Sequence, residues 1–121
     1  MSGAAELVAT LRDRVDAAEA DWRRRHLPPP TREKPRPDPA ALEGARLLEA
    51  AGRELDAIAA QLRALPPPGS AGPSEAEAAI RDHAAFLLDL LGTSMAVEPQ
   101  RFGREVEFLR ELAQRRTAAL G

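Results

Sequence analysis

The chain has 121 residues, no cysteine and a formal net charge of −2. This length suits one domain with a single hydrophobic core, and the absence of cysteine excludes disulfide frameworks and thiolate metal sites. Twenty-five alanines and sixteen leucines, against three Phe, one Trp and no Tyr, favour helix over strand. The composition therefore predicts an all-α protein, in a single domain over residues 1–121.

Composition also bears on where the protein acts. The first residues, MSGAAELVATLRDRVD, carry acidic charge within the first turns, unlike a secretory signal or an Arg-rich transit peptide. The apolar stretch FLLDLL is broken by Asp89, whereas a membrane-spanning helix needs about 20 apolar residues. We therefore expect a soluble, cytoplasmic protein without a membrane partner. Sixteen arginines against one lysine are typical of a GC-rich bacterial genome.

The first predicted helix covers residues 4–25, where apolar residues recur every three or four positions. A proline-rich loop at 27–38 follows, and six of the eleven prolines lie within residues 21–39. Proline excludes helix there and favours extended polyproline II, at about 3.1 Å per residue. Such a loop is long enough to cross a whole helix, so the first two helices could run parallel or antiparallel.

The second predicted helix covers residues 39–65, with Asp38 as N-cap and Pro39 at the first helical position. Gly44 and Gly52 lie near one face of it, which indicates either close helix packing or a flexible point.

A second proline-rich loop, at 66–73, separates this helix from the third, which is predicted at 75–91. Ser74 and Glu77 have the spacing of a capping box, and Gly92 is expected to stop the helix in the left-handed conformation. Its apolar stripe is wide and includes Phe86 among the inward positions.

The fourth predicted helix covers residues 99–119 and begins at Pro99. Four amphipathic helices joined by short or proline-rich connections predict a four-helix bundle. The second helix exceeds the third by about nine residues, roughly 14 Å. Either part of its apolar seam lacks a cover within the chain, which a homodimer would supply, or the helix end simply protrudes.

The two histidines are the first candidates for acid–base chemistry. His83 lies in the apolar sector of the third helix, which favours a histidine at the edge of the core with a buried partner. Glu105 is the candidate partner, in a structural hydrogen bond or a small polar site. A di-iron bundle would need Glu three residues before the histidine, where Ile80 stands. We predict no catalytic, cofactor-binding or metal-binding residues.

The segment around the first loop carries an excess of positive charge. We call residues 23–36 the basic strap, and its cations are Arg23, Arg24, Arg25, Lys34 and the two loop arginines, Arg32 and Arg36. The last turn of a helix favours cations without any ligand. A structural connection, a docking site for an acidic protein and a nucleic-acid arm with Trp22 as stacking platform are the three interpretations.

These observations favour a small, non-catalytic helical protein-interaction module, such as an adaptor, an assembly subunit or a regulatory partner. A nucleic-acid-binding accessory protein using the strap, and a small-molecule sensor or enzyme centred on His83, are the alternatives. The residues predicted to bind a partner are the strap arginines and the seam of the second helix. They are Arg23, Arg24, Arg25, Arg32, Arg36, Leu55, Ile58 and Leu62.

Overall fold

A computed structural model describes the protein over residues 3–33, 35–65, 75–93 and 98–118. The described residues form four helices and no strand, which confirms the all-α prediction. The helices are α1 (Ala4–His26), α2 (Pro39–Arg63), α3 (Glu75–Thr93) and α4 (Pro99–Ala118). Every predicted helix boundary lies within two residues of the observed one.

Sequence neighbours pair as antiparallel hairpins. Trp22, near the end of α1, donates a hydrogen bond of 2.9 Å from Nε1 to the carbonyl of Ala41, in the first turn of α2. Arg12, in the middle of α1, contacts Asp56 near the end of α2, so the two helices run in opposite directions. The proline-rich loop therefore joins adjacent ends and does not cross the length of the bundle.

The two hairpins pack side by side as a four-helix bundle. α1 contacts α2 and α3, and α4 contacts the same two helices, so α1 and α4 lie on one diagonal and α2 and α3 on the other. Gln61 Nε2 donates a 2.7 Å hydrogen bond to Thr117 Oγ1, which places the ends of α2 and α4 together. The helices α2 and α4 are therefore parallel neighbours, and so are α1 and α3.

The apolar seam of α2 is covered within the chain. Leu55, Ile58 and Leu62 are 0%, 1% and 7% exposed, and Leu65 packs against the same core. The prediction that this seam is available to a partner is wrong, because α2 does not pack on the shorter α3. It lies between α1 and α4, whose lengths of 23 and 20 residues nearly match its own 25.

The helix ends follow the expected capping chemistry in part. The Asp38 carboxylate accepts a 3.1 Å hydrogen bond from the Ala40 N–H, as an N-cap does. The predicted stop at Gly92 is wrong, since the helix continues through Gly92 to Thr93. Ser74, the other member of the predicted capping box, lies outside the described residues. The Glu77 side chain serves a different helix: Oε1 accepts a 3.2 Å hydrogen bond from the Ala4 N–H of α1.

Both glycines of α2 permit a close approach by α1. A Cβ atom at Gly44 would lie 2.7 Å from Trp22 Cε2, and one at Gly52 would lie 2.8 Å from Arg12 Nη1. These distances are shorter than van der Waals contact. The close-packing interpretation is therefore confirmed at both positions.

Candidate functional site

Acidic neighbours pair with the helical arginines of the basic strap. Arg23 Nε lies 2.8 Å from Glu19 Oε2, and Arg25 Nε lies 3.0 Å from Asp21 Oδ2. Arg24 also forms an ion pair with Asp21. These contacts are spaced three or four residues apart on α1, so most of the charge that predicted a docking site is balanced on the helix itself.

Two cations of the strap lack an ion-pair partner among the described residues. Arg32 and Arg36 are exposed, and neither forms a salt bridge with another described residue. Lys34 lies outside the described residues. The strap thus offers fewer unbalanced charges than its sequence indicates.

His83 is bound at the edge of the core by the predicted residue, Glu105. Its Nε2 atom lies 3.1 Å from Glu105 Oε2 and 3.0 Å from the Glu105 backbone carbonyl oxygen. Both partners are acceptors, so Nε2 carries a hydrogen and donates to them. The histidine side chain is only 13% exposed. In the described part of the chain, no group of three His, Asp or Glu side chains is arranged to hold a metal ion.

Two phenylalanines flank this histidine on the outside of the bundle. The Phe108 ring lies edge-on to the imidazole with centroids 4.8 Å apart, and the Phe86 ring lies 5.6 Å away and tilted. Phe86 and Phe108 are 40% and 43% exposed. We call His83, Phe86 and Phe108 the aromatic cluster. It contains two of the three phenylalanines in the chain.

The aromatic cluster contradicts one detail of the sequence interpretation. Phe86 is expected to face inward, yet it is exposed, and among residues 75–92 of α3 only Ile80, Ala84 and Leu87 are fully buried. At 100° per residue Phe86 lies about 160° around the helix from the buried Ala84. Its position on the helical wheel therefore predicts that it is exposed. The apolar stripe of α3 is wide because it includes an exposed apolar surface at Phe86 in addition to the buried residues.

Rows of opposite charge lie on the two helices that carry the cluster. On α3, Glu75, Asp82 and Asp89 are exposed at spacings of seven residues. On α4, Arg101, Arg104 and Arg115 are exposed and form no salt bridge with a described residue, whereas the exposed Arg110 pairs with Glu54 of α2. We call the surface formed by these two rows and the aromatic cluster the outer face of α3 and α4.

An open hollow of about 500 Å³ lies where α1 ends and α2 and α4 begin. Its lining combines apolar walls with charged groups of both signs. The indole of Trp22 stands 4.1 Å from the imidazole of His26, centroid to centroid. Arg101 and Arg104, the first two cations of the α4 row, also line this hollow, where Glu43 and Glu98 match them in number. The charge of the hollow therefore selects neither an anionic nor a cationic ligand.

One titratable group between α1 and α2 is clearly perturbed. Partial burial alone would lower the pKa of Arg12, but the carboxylates of Asp56 and Asp16 outweigh it and raise that pKa above its ordinary value. Arg12 Nε lies 3.0 Å from Asp56 Oδ2. The guanidinium is therefore charged at all physiological pH values, and it contributes to the α1–α2 contact without acting as a proton donor.

No protein-family model matches the chain, and neither curated proteins nor solved structures show significant similarity to it. Among the described helices, none combines the length and the apolar character required to cross a membrane.

Proposed function

We propose that the protein is a small, non-catalytic interaction module, acting as a cytoplasmic adaptor or assembly subunit, and that it docks through the outer face of α3 and α4. The observation that carries this proposal is the pair of half-exposed phenylalanines, Phe86 and Phe108, on two adjacent helices around one histidine. Both belong to a chain with only four aromatic residues of the Phe, Trp and Tyr types.

The energetics of interfaces support this choice of surface. A phenylalanine buries about 150–250 Å² when it is covered, and aromatic anchors at the centre of an interface commonly contribute about 2 kcal/mol or more to binding. The His83 ring contacts both phenylalanine rings on their core side, and Glu105 holds the imidazole in place. The rings are therefore held in place before a partner arrives, which reduces the entropy lost on binding.

The same geometry favours binding over catalysis at His83. Its Nε2 hydrogen is donated to Glu105, and the two phenylalanines cover much of the remaining ring. A general base needs a ring nitrogen within reach of a substrate proton. The imidazole is thus well placed to support the aromatic cluster.

The proposal is tested by capture from an extract of the native host with immobilised wild-type protein and two variants. Phe86→Ser/Phe108→Ser removes both exposed rings. Leu42→Ser removes a residue of similar exposure, 39%, on α2. The expected result is one or more proteins, other copies of the chain included, that bind the wild type and Leu42→Ser but not the double variant.

Retention of every bound protein by the double variant would contradict the proposal, and so would the absence of any specific binding. Circular dichroism must show equal helicity for all three proteins. Because Phe86 and Phe108 are already half-exposed, we expect their substitution to leave the fold intact.

A further inference from the structure

We infer that the partner of this outer face is a second copy of the chain, related to the first by a two-fold axis parallel to the bundle. This inference rests on the proposed function, because it uses the same surface. It identifies the occupant from the charges that surround the aromatic cluster.

Acidic residues of α3 and basic residues of α4 lie at matching heights at the two ends of the outer face. α3 and α4 are antiparallel, and the contacts of His83 with Glu105 and of Glu77 with Arg116 fix their register. Counting about 1.5 Å per residue from these contacts places Asp89 and Arg101 within about 5 Å of the same height. Glu75 and Arg115 coincide in the same way at the other end.

A two-fold axis parallel to the bundle places α3 of one copy opposite α4 of the other at an unchanged height. The acidic row then faces the basic row twice, since the interface is isologous. A two-fold axis across the helices would place α3 against an inverted α3, and an axis at Asp82 would bring Asp82 towards its own copy and Asp89 towards Glu75. Like charges at short range are repulsive, so the charge pattern selects the first arrangement.

Phe86 and Phe108 from both copies would meet between the charged rows, which gives an apolar centre with a polar rim. Ala78 and Ala85 are exposed beside the acids of α3, and their small side chains permit close approach. Glu111 interrupts the basic row at about the height of Asp82, so the opposite charges face each other at the two ends of the face, where Glu75 meets Arg115 and Asp89 meets Arg101.

The size of the face is adequate for a small dimer. Helices of 19 and 20 residues are about 30 Å long, and two adjacent helices are about 20 Å wide. The face therefore covers on the order of 600 Å² per copy, near the lower end of the range for specific interfaces. We expect a reversible dimer whose population depends on protein concentration.

The test uses sedimentation equilibrium of the purified full chain and two charge-reversal variants. The acid-row variant is Asp82→Arg/Asp89→Arg, and the base-row variant is Arg101→Glu/Arg104→Glu. These changes place negative charge near the start of α4 and positive charge near the end of α3, which suits the helix dipoles. In the acid-row variant the new arginine at 89 faces Arg101 and Arg104, and in the base-row variant the new glutamates face Asp89, in both halves of the interface, so each variant is expected to be monomeric where the wild type is dimeric.

An equimolar mixture of the two variants distinguishes this arrangement from others. In the mixed pair, the new arginines on α3 face the new glutamates on α4, and the other half of the interface keeps its original charges. The mixture is therefore expected to regain the dimer. The matched control is Glu6→Arg/Asp13→Arg, which makes the same change of charge at the same spacing on the exposed side of α1 and should remain dimeric.

A wild type that is monomeric up to submillimolar concentration would overturn the inference. So would dimeric single variants, or a mixture that stays monomeric. Capture of a different host protein that depends on Phe86 and Phe108, together with a monomeric wild type, would leave the proposed function standing and exclude the second copy. Thermal melting of each variant by circular dichroism establishes that the chains compared are folded.

Discussion

Trp22 occupies the space that a side chain at Gly44 would need. A Cβ atom there would lie 2.7 Å from Trp22 Cε2 and 3.0 Å from Nε1. The indole cannot move away without cost, because Nε1 donates a hydrogen bond to the Ala41 carbonyl. This contact sets the distance between the end of α1 and the start of α2.

We therefore expect Gly44→Ala to lower the free energy of unfolding by about 1–3 kcal/mol, the usual cost of overpacking. Gly103→Ala is the matched control, because Gly103 is helical and a Cβ there would have no atom within 4 Å apart from its chain neighbours and the backbone of its own helix. Helix propensity should make that variant more stable by about 1 kcal/mol. Urea unfolding followed by circular dichroism measures both, and a Gly44→Ala variant as stable as Gly103→Ala would refute the close approach.

The buried ion pair between Glu77 and Arg116 should be costly to break from one side. The two side chains are 12% and 6% exposed, and Glu77 Oε2 lies 3.4 Å from Arg116 Nε. We expect Glu77→Leu to lower the free energy of unfolding by about 3–5 kcal/mol, since it removes the carboxylate beside the buried Arg116 guanidinium. Arg116→Met should cost less, because Glu77 keeps the hydrogen bond from the Ala4 N–H.

The double variant Glu77→Leu/Arg116→Met should be more stable than the sum of the single losses implies, because it leaves neither charge behind. A double-mutant cycle from chemical denaturation gives this coupling energy. Additive losses would mean that the two groups do not interact in solution.

The seam of α2 should behave as core and not as interface. Leu55 is 0% exposed, so Leu55→Ala should cost about 2–5 kcal/mol of stability. Leu42, on the same helix but 39% exposed, provides the comparison, and Leu42→Ala should change stability by less than about 0.5 kcal/mol. Similar melting temperatures for the two variants would show that the seam is not buried as described.

His83 should contribute stability through Glu105. We expect His83→Ala to lower the free energy of unfolding by about 1–2 kcal/mol, because the partly buried carboxylate loses its donor and the two phenylalanine rings lose a contact. His83→Gln keeps a side-chain donor and should recover part of this loss. Equal stability of His83→Ala and the wild type, measured by thermal melting, would contradict a structural role.

Local signals in the sequence identify the helices and one of their contacts. Asp38 and Pro39 mark the start of α2, and the wheel position of His83 led directly to Glu105. The ion pairs of the helical strap arginines can also be predicted from the sequence, because Glu19 and Asp21 lie three or four residues before them. The cap and the strap contacts depend on residues that are close in sequence, whereas the contact of His83 with Glu105 joins two helices and follows from the apolar stripes of both.

The packing arrangement of the helices is harder to predict from the sequence. Sequence periodicity shows that α2 buries a stripe, but it does not say which helices cover that stripe. The mistaken exposure of Leu55 and Ile58 followed from comparing α2 with α3, which lies diagonally across the bundle from α2 and does not contact it through any described residue. Phe86 and Phe108 form one cluster only because α3 and α4 pair in a register fixed by contacts such as that of His83 with Glu105.

The diagonal placement of α1 and α4 has a consequence for how the protein folds. Each helix has one neighbour within its own hairpin and one in the other hairpin. Neither hairpin can shield its leucines alone, so either half made as a separate peptide should be largely unstructured in water. The two halves mixed together should regain helicity, and the speed of that recovery should rise with peptide concentration, because docking between hairpins creates the core.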